Sequence, residues 1–231
     1  TEAPLGNNGN MTLPQPGSTE KTTLNRMRER SVADRQAMYE VLDSNILCHL
    51  ALAIDGEPVI LPYGYTRDGD RLLIHGSSGA RFMRLIAAGA PVCVAVTEVT
   101  AMVVARSTFN SSMNYRSVVV FSTATELTGE EKAKALETVS DGFLPGRSGE
   151  VRASTKKELA ATMVLAISLE EASLKVRAHG VEDEPEDVGT GVWAGLIPLS
   201  RLAGEPLPDD EESAGLPVPQ SVQAFVRNPK A

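Results

Sequence analysis

Aromatic residues are scarce in this sequence: one tryptophan, four tyrosines and five phenylalanines make up 4% of 231 residues. A core short of large rings must be built from Val, Leu, Ala and Ile, and the hydrophobic fraction of 42% supplies enough of them. Cysteine is nearly absent too. Cys48 and Cys93 each lie inside an apolar run (ILCHLALAI and PVCVAVTEV) without a C-x-x-C neighbour or metal-ligand spacing, so both read as buried free thiols. The three histidines, His49, His75 and His179, form no H-x-x-x-H or H-E-x-x-H pattern, which argues against a protein-ligated metal. Basic charge is in deficit. A net charge of −8 argues against a nucleic-acid surface. No apolar run approaches the roughly 20 residues of a membrane-spanning helix. The first residues, TEAPLGNNGN, have neither the basic nor the apolar region of a secretory leader, so a cytoplasmic location is expected.

What is present is a succession of short apolar runs. Residues 46–54, 58–66, 71–76, 91–98, 101–108 and 115–127 read as strands, with turn chemistry at DGEP (55–58) and RDGD (67–70). Further strands fit 163–169, 173–179 and 192–199. Helices are predicted after Ser31 and Asp34, over 79–88, over 129–140 with Thr128 and Glu131 as a capping box, and over 155–162 with Thr155 and Glu158 as another. Residues 1–23, rich in Gly, Asn, Pro and Thr, read as a mobile or draped arm. The acidic stretches 182–187 and 209–212 read as solvated loops, and the Pro-rich end, 202–231, as a tail extended along the surface. Short antiparallel strands with peripheral helices imply a mainly β protein, a small barrel with its domain at 24–201. No G-x-G-x-x-G follows a strand, which argues against a Rossmann site.

Four clusters combine polar chemistry with this framework. In LLIHGSSGARFMRLI (72–86) a strand runs through His75 and Gly76 into Ser77, Ser78 and Gly79, then into a helix pattern with Arg81 in its first turn. An arginine there opposes the helix dipole, and a bound phosphate would account for it; a solvent-facing arginine on a Ser-capped helix is the other reading. Asn114, Tyr115, Arg116 and Ser117 open a strand. Lys175 and Arg177 share one strand face by alternation, or form a solvated edge. Trp193 is the only tryptophan and, taken alone, reads as a core plug. Together these supply phosphate ligands, hydrogen-bonding groups and a planar aromatic, suited to a phosphorylated, planar, heteroaromatic ligand.

The order VILPYGYTRDGDRLLIHGSSGAR, ARSTFNSSMNYRSVVVFSTA, ELAATMVLAISLEEASLKVR and WAGLIPL resembles the pyridoxamine 5′-phosphate oxidase-like, FMN-binding split-barrel family. Within it the sequence is most similar to the nitroimidazole-reductase-like flavin-binding branch, over roughly residues 22–226. The resemblance implies a six-stranded split β-barrel, paired as a homodimer with FMN in the subunit cleft. It places Leu61, Pro62 and Tyr63 along the flavin ring and His75 and Gly76 beside it. It gives Ser77, Ser78 and Arg81 to the phosphate, Tyr115, Arg116 and Ser117 to the polar edge or ribityl chain, and Lys175 and Trp193 to the cleft. The implied activity is an oxidoreductase passing hydride or electrons from reduced FMN, with NAD(P)H as a donor, to a small conjugated or aromatic acceptor. His75 is the candidate proton donor. The alternative is a binder of flavin, haem or the deazaflavin F420 without turnover. Asn110 and Ser111 stand where relatives often carry histidines, and Ser122 where they often have glycine. The E-F-W and R-L-H-D-R stretches of true pyridoxamine-phosphate oxidases are lacking.

Overall fold

The computed structural model describes residues 13–230. In chain order the elements are α1 (Arg35–Asp43), β1 (Leu47–Ile54), β2 (Glu57–Asp68), β3 (Arg71–Ser77), α2 (Arg81–Ala87), β4 (Val92–Val104), β5 (Ser112–Ser122) and β6 (Ala124–Leu127). They continue with α3 (Gly129–Phe143), α4 (Lys156–Ala161), β7 (Thr162–Ser168), β8 (Ala172–Arg177), β9 (Gly195–Pro198), α5 (Glu211–Ala214) and α6 (Gln220–Arg227). Every ladder between strands is antiparallel. No helix among the described residues is long and apolar enough to cross a membrane.

The barrel closes because two paths change partners midway. β2 pairs with β1 over residues 57–64 and with β3 over 65–68. β5 and β6 are separated by Thr123 alone, β7 and β8 by three residues, and the two paths pair with each other throughout. One ladder runs from Tyr115↔Arg177 to Val120↔Ala172, and the other from Ala124↔Ile167 to Leu127↔Val164, with one residue of slip at the bend. The Phe121 N–H donating to the Glu171 carbonyl bridges that bend. Taken as continuous paths, β1, β2, β3, β7–β8, β5–β6 and β4 form a ring of six, the expected split barrel. β9 adds to β4 outside the ring.

Alternation decides what fills it. Leu50, Leu72, Ile74, Val94, Val96, Val118, Val120, Leu165, Ile167 and Leu174 point inward and are essentially unexposed. Met38, Val41 and Leu42 of α1 join the same core. The opposite faces of β3, β6 and β7 make a second core, where Leu73, Val164, Ala166 and Leu127 meet Ala135 and Val139 of α3. The other outer face, over β2, β1, β4, β5 and β8, has no such helix among the described residues.

Several local expectations are corrected. Runs 91–98 and 101–108 are one strand, β4, bent by a bulge between Val99 and Ala101, because the pairing with β5 continues on both sides of it. Run 115–127 is instead two strands. Thr155 and Glu158 do form their capping box. Thr128 makes no cap hydrogen bond, and Glu131 pairs with Arg71 at 2.8 Å instead. Asp34 alone caps α1, through the Gln36 N–H, while Ser31 bridges to Lys175 at the edge of β8. Within the acidic run 182–187, Asp183 is not solvated: its carboxylate is 3% exposed against Arg106. The tail contains helices; Ser221 at the start of α6 donates through its N–H and hydroxyl to Glu150. The arm lies outside the described residues up to residue 12; beyond, the Gly17 N–H donates to Ala172 and Thr22 is buried.

α3 seats on β2 through missing side chains. A Cβ at Gly142 would meet the Thr66 hydroxyl oxygen at 2.0 Å, and one at Gly64 would meet the Phe143 ring at 2.7 Å. Gly142→Ala should therefore lower stability. Alanine gains about 1 kcal/mol of helix propensity, but overpacking costs about 1–3 kcal/mol. Denaturant unfolding checks this, and a stabilised variant would show that α3 does not sit this close.

Candidate functional site

The β3–α2 turn is arranged differently from a Ser-capped helix. α2 begins at Arg81, and its N-cap, Ala80, has no side chain to accept a hydrogen bond. The Ser77 hydroxyl accepts from the Gly79 N–H at 3.2 Å. Ser78 is occupied elsewhere: its N–H and hydroxyl both bond the Ala161 carbonyl, tying the turn to the end of α4. Among the described residues the first-turn N–H groups of α2 thus have no side-chain cap, and they keep the positive end of the helix dipole. Arg81 reaches over the β1–β2 turn to Asp55 at 2.9 Å, with both side chains largely exposed. An exposed pair of this kind is worth about 0–1 kcal/mol, so an incoming phosphate can displace the carboxylate. Arg84 is exposed and has no carboxylate partner among the described residues.

His75 lies just upstream, on the face of β3 that carries Leu73, and its ring is 6.4 Å from that of Phe143 at the end of α3. Its Nδ1 is buried without a hydrogen-bond partner. Burial pushes the imidazole below its usual value, which favours the neutral ring. The neutral form carries one N–H and one free nitrogen, which can accept a proton or bind a metal ion. Gly76 faces the other way; a Cβ there would touch Met83 at 3.1 Å.

The uncovered outer face is built from directly paired residues, which share a side. His49 lies between Pro62 and Ala95, and Ala51 between Ile60 and Cys93. Thr97 pairs Ser117 with hydroxyls 2.9 Å apart, Ser117 pairs Lys175, and Tyr115 pairs Arg177. Arg116 is on the opposite face with Val118 and Val120, and both Nε and Nη2 donate to Glu98, at 3.0 and 2.5 Å. Leu61 and Tyr63 also face inward at the barrel end, where Tyr63 stacks on Phe82 with ring centres 5.7 Å apart. Trp193 is no core plug. It precedes β9, is 65% exposed, and lies against Gly195.

The structure therefore gathers the named residues into two neighbouring sets. Pro62, His75, Gly76, Ser77 and Arg81 sit around the end of β3, while Tyr115, Ser117 and Lys175 sit across the open face. Arg116 and Ser78 are engaged within the fold, and Trp193 stands apart in its loop. Sequence reading missed His49, Asp55 and Glu98. Strand alternation in CHLAL places His49 outward, opposite the buried Cys48 and Leu50, and was the available signal. Cys48, whose thiol burial raises to about 12, is no nucleophile. Among the described residues no cluster of His, Cys, Asp and Glu could hold a metal ion by itself.

The orphaned His75 nitrogen, the uncapped turn and the open face of small residues fit a phosphorylated, planar group. The profile of the pyridoxamine 5′-phosphate oxidase family matches residues 34–176. No curated protein matches the sequence. Among solved structures, an FAD and haem binding protein from Mycobacterium smegmatis is 42% identical, covering 85% of this chain and 97% of its own, with a TM-score of 0.83. The flavocytochrome Anf3 from Azotobacter vinelandii is 31% identical, covering 92% and 99%, with a TM-score of 0.84. A protein assigned to 5-nitroimidazole antibiotic resistance from Bacteroides thetaiotaomicron, 16% identical over 63% of this chain and 86% of its own, shares the fold at a TM-score of 0.55. With its six-membered split barrel and a profile match over more than half its length, the chain belongs to the pyridoxamine 5′-phosphate oxidase family.

Proposed function

We propose that this protein is a flavin- and haem-binding oxidoreductase, with FAD as its flavin, working as a homodimer on a small conjugated or aromatic acceptor. The observation that carries the flavin is the uncapped first turn of α2 with Arg81 beside it, at the end of the strand that presents His75. FAD in place of the FMN expected from sequence, and haem as a companion to flavin, are supported by the names of the two most similar structures mentioned. A bound flavin supplies one- and two-electron chemistry and haem one-electron chemistry, so the chain itself need only bind, orient and tune them. Ser77, the first-turn N–H groups and Arg81 hold a phosphate. Pro62 and His75 border the ring site. His49, exposed on the open face between Pro62 and Ala95, is the imidazole suited to iron.

A second copy is supported by the exposed sheet that β9 extends. Met102 is paired with both Met113 and Ile197, so all three share a side, and each is 43–50% exposed. We assign this apolar stripe to the partner subunit, which would also complete the open face. Ile197→Lys should convert the dimer to monomer in light scattering and lower flavin retention with it; a wild-type monomer holding stoichiometric flavin would refute the assignment.

Arg81→Ala should weaken flavin binding by about tenfold to a hundredfold, the value of a charge-assisted hydrogen bond of about 1.5–3 kcal/mol. Arg84→Ala should change it little. Asp55→Asn, which releases Arg81 from its exposed carboxylate, should leave affinity the same or tighter. Fluorescence titration measures all three, and equal small effects at Arg81 and Arg84 would remove the phosphate assignment.

His75→Gln should keep flavin bound but reduce turnover by about a hundredfold, the usual cost of losing a proton-transfer group. The same variant has a pH signature. In the unfolded chain this histidine takes up a proton near pH 6.5, and in the folded protein only at lower pH. Stability is thus lost as pH falls below about 6.5, and His75→Gln should flatten that acid limb. An unchanged limb would show that the imidazole is not held neutral by burial.

A further inference from the structure

Most part-buried arginines near the candidate site have a carboxylate. Arg106 meets Asp183 at 2.5 Å and Arg116 meets Glu98 at 2.5 Å. Arg177, the most enclosed of them at 5% exposure, has none among the described residues. Among the described residues its guanidinium makes one hydrogen bond, from Nη1 to the Asn114 side-chain oxygen at 2.6 Å. Asn114 is itself 5% exposed, and its amide is committed to the His179 carbonyl at 3.0 Å. Asn114 thus holds the guanidinium in place without neutralising it. The other guanidinium nitrogens of Arg177 are not sealed from solvent, so its unused donors remain available to an oxyanion.

Its neighbours agree. Arg177 is the direct partner of Tyr115, and Lys175 is two residues back on the same side. Lys175 in turn pairs Ser117, whose hydroxyl touches that of Thr97. The cluster holds two cations and three hydroxyl groups, while Glu98 and Asp183 are engaged with other arginines. It lies across the open face from the α2 turn, and so is separate from the phosphate position given to Arg81.

We propose that Arg177, with Lys175 beside it, anchors a second oxyanion of the bound cofactors, either the pyrophosphate that distinguishes FAD from FMN or a haem propionate. This rests on the flavin and haem reading above. Arg177 fixes which cofactor form is retained, and Asn114 positions it.

The test uses the full chain freed of ligand and titrated with four probes: FAD, FMN, haemin and haemin dimethyl ester. Flavin fluorescence and the haem absorption band report binding. If the anchor is for pyrophosphate, Arg177→Gln weakens FAD by about tenfold to a hundredfold and leaves FMN unchanged. If it is for propionate, the variant weakens haemin by a similar factor and leaves the dimethyl ester unchanged. A folded Arg177→Gln that binds all four as wild type does, or loses all four equally, overturns the proposal. Should Arg177→Gln fail to fold, Lys175→Gln must show the same selectivity in smaller degree, and an unselective Lys175→Gln overturns it as well. Failure of the wild-type chain to bind any of the four refutes the flavin and haem reading itself, which no result with the variants alone would do.

Discussion

The pairing of the β5–β6 path with the β7–β8 path is what turns two sheets into one barrel. Each path bends at the same level, β5–β6 at Thr123 and β7–β8 at Leu169–Glu171, so the ladder passes the corner with one residue of slip. Edge strands with unpaired N–H and C=O groups invite aggregation, and closure removes most of them. It also sets the two outer faces apart. The face over β3, β6 and β7 takes α3 and becomes a second core, whereas the face over β2, β1, β4, β5 and β8 stays open. The open face is thus a consequence of how the ring closes.

Charge is distributed unevenly around this frame. Arg106, Arg116 and Arg71 are held by carboxylates, and Arg116 and Asp183 serve as parts of the scaffold although both lie within motifs that read as functional or solvated. Arg81 has only an exposed partner in a reversed turn, where Asp55 and Gly56 adopt the left-handed conformations of a tight hairpin. Arg177 has no carboxylate partner among the described residues. Asp183 is the one buried carboxylate among these pairs, so the Arg106 pair resists exchange most. A weak exposed pair or an unpaired guanidinium is free to accept a ligand, and these two arginines flank the candidate site.

α3 links the site to the fold. Its close approach, with glycine at both 64 and 142, brings Phe143 beside the part-buried His75. The lowered proton affinity of His75 derives from burial and not from a neighbouring charge. Lys230, near the end of the chain, donates to the Gly142 carbonyl and secures the same helix end.

Much of the framework was legible in the sequence. Hydrophobic alternation placed nearly every strand, the Thr155–Glu158 box placed α4, and the D-G turns marked the early hairpins, because these signals are local and depend on residues a few positions apart. The bulge at Val99 was not legible, since only the partner strand shows that β4 continues past it. The tail helices were hidden by prolines that set their boundaries, with Pro219 just before α6. The residue types needed for a phosphorylated planar ligand, and the turn that would hold it, were written in LLIHGSSGAR and its companions. The tertiary structure alone decided which of those side chains are available. Ser78 and Arg116 found partners from elements 83 and 18 residues away, while Arg177 found, among the described residues, the Asn114 amide in place of a carboxylate, and His75 met Phe143. Hydrogen bonds and ion pairs are short-ranged in space but not in sequence, so whether a polar group is spent on the fold or left for a ligand is settled only when the chain has closed on itself.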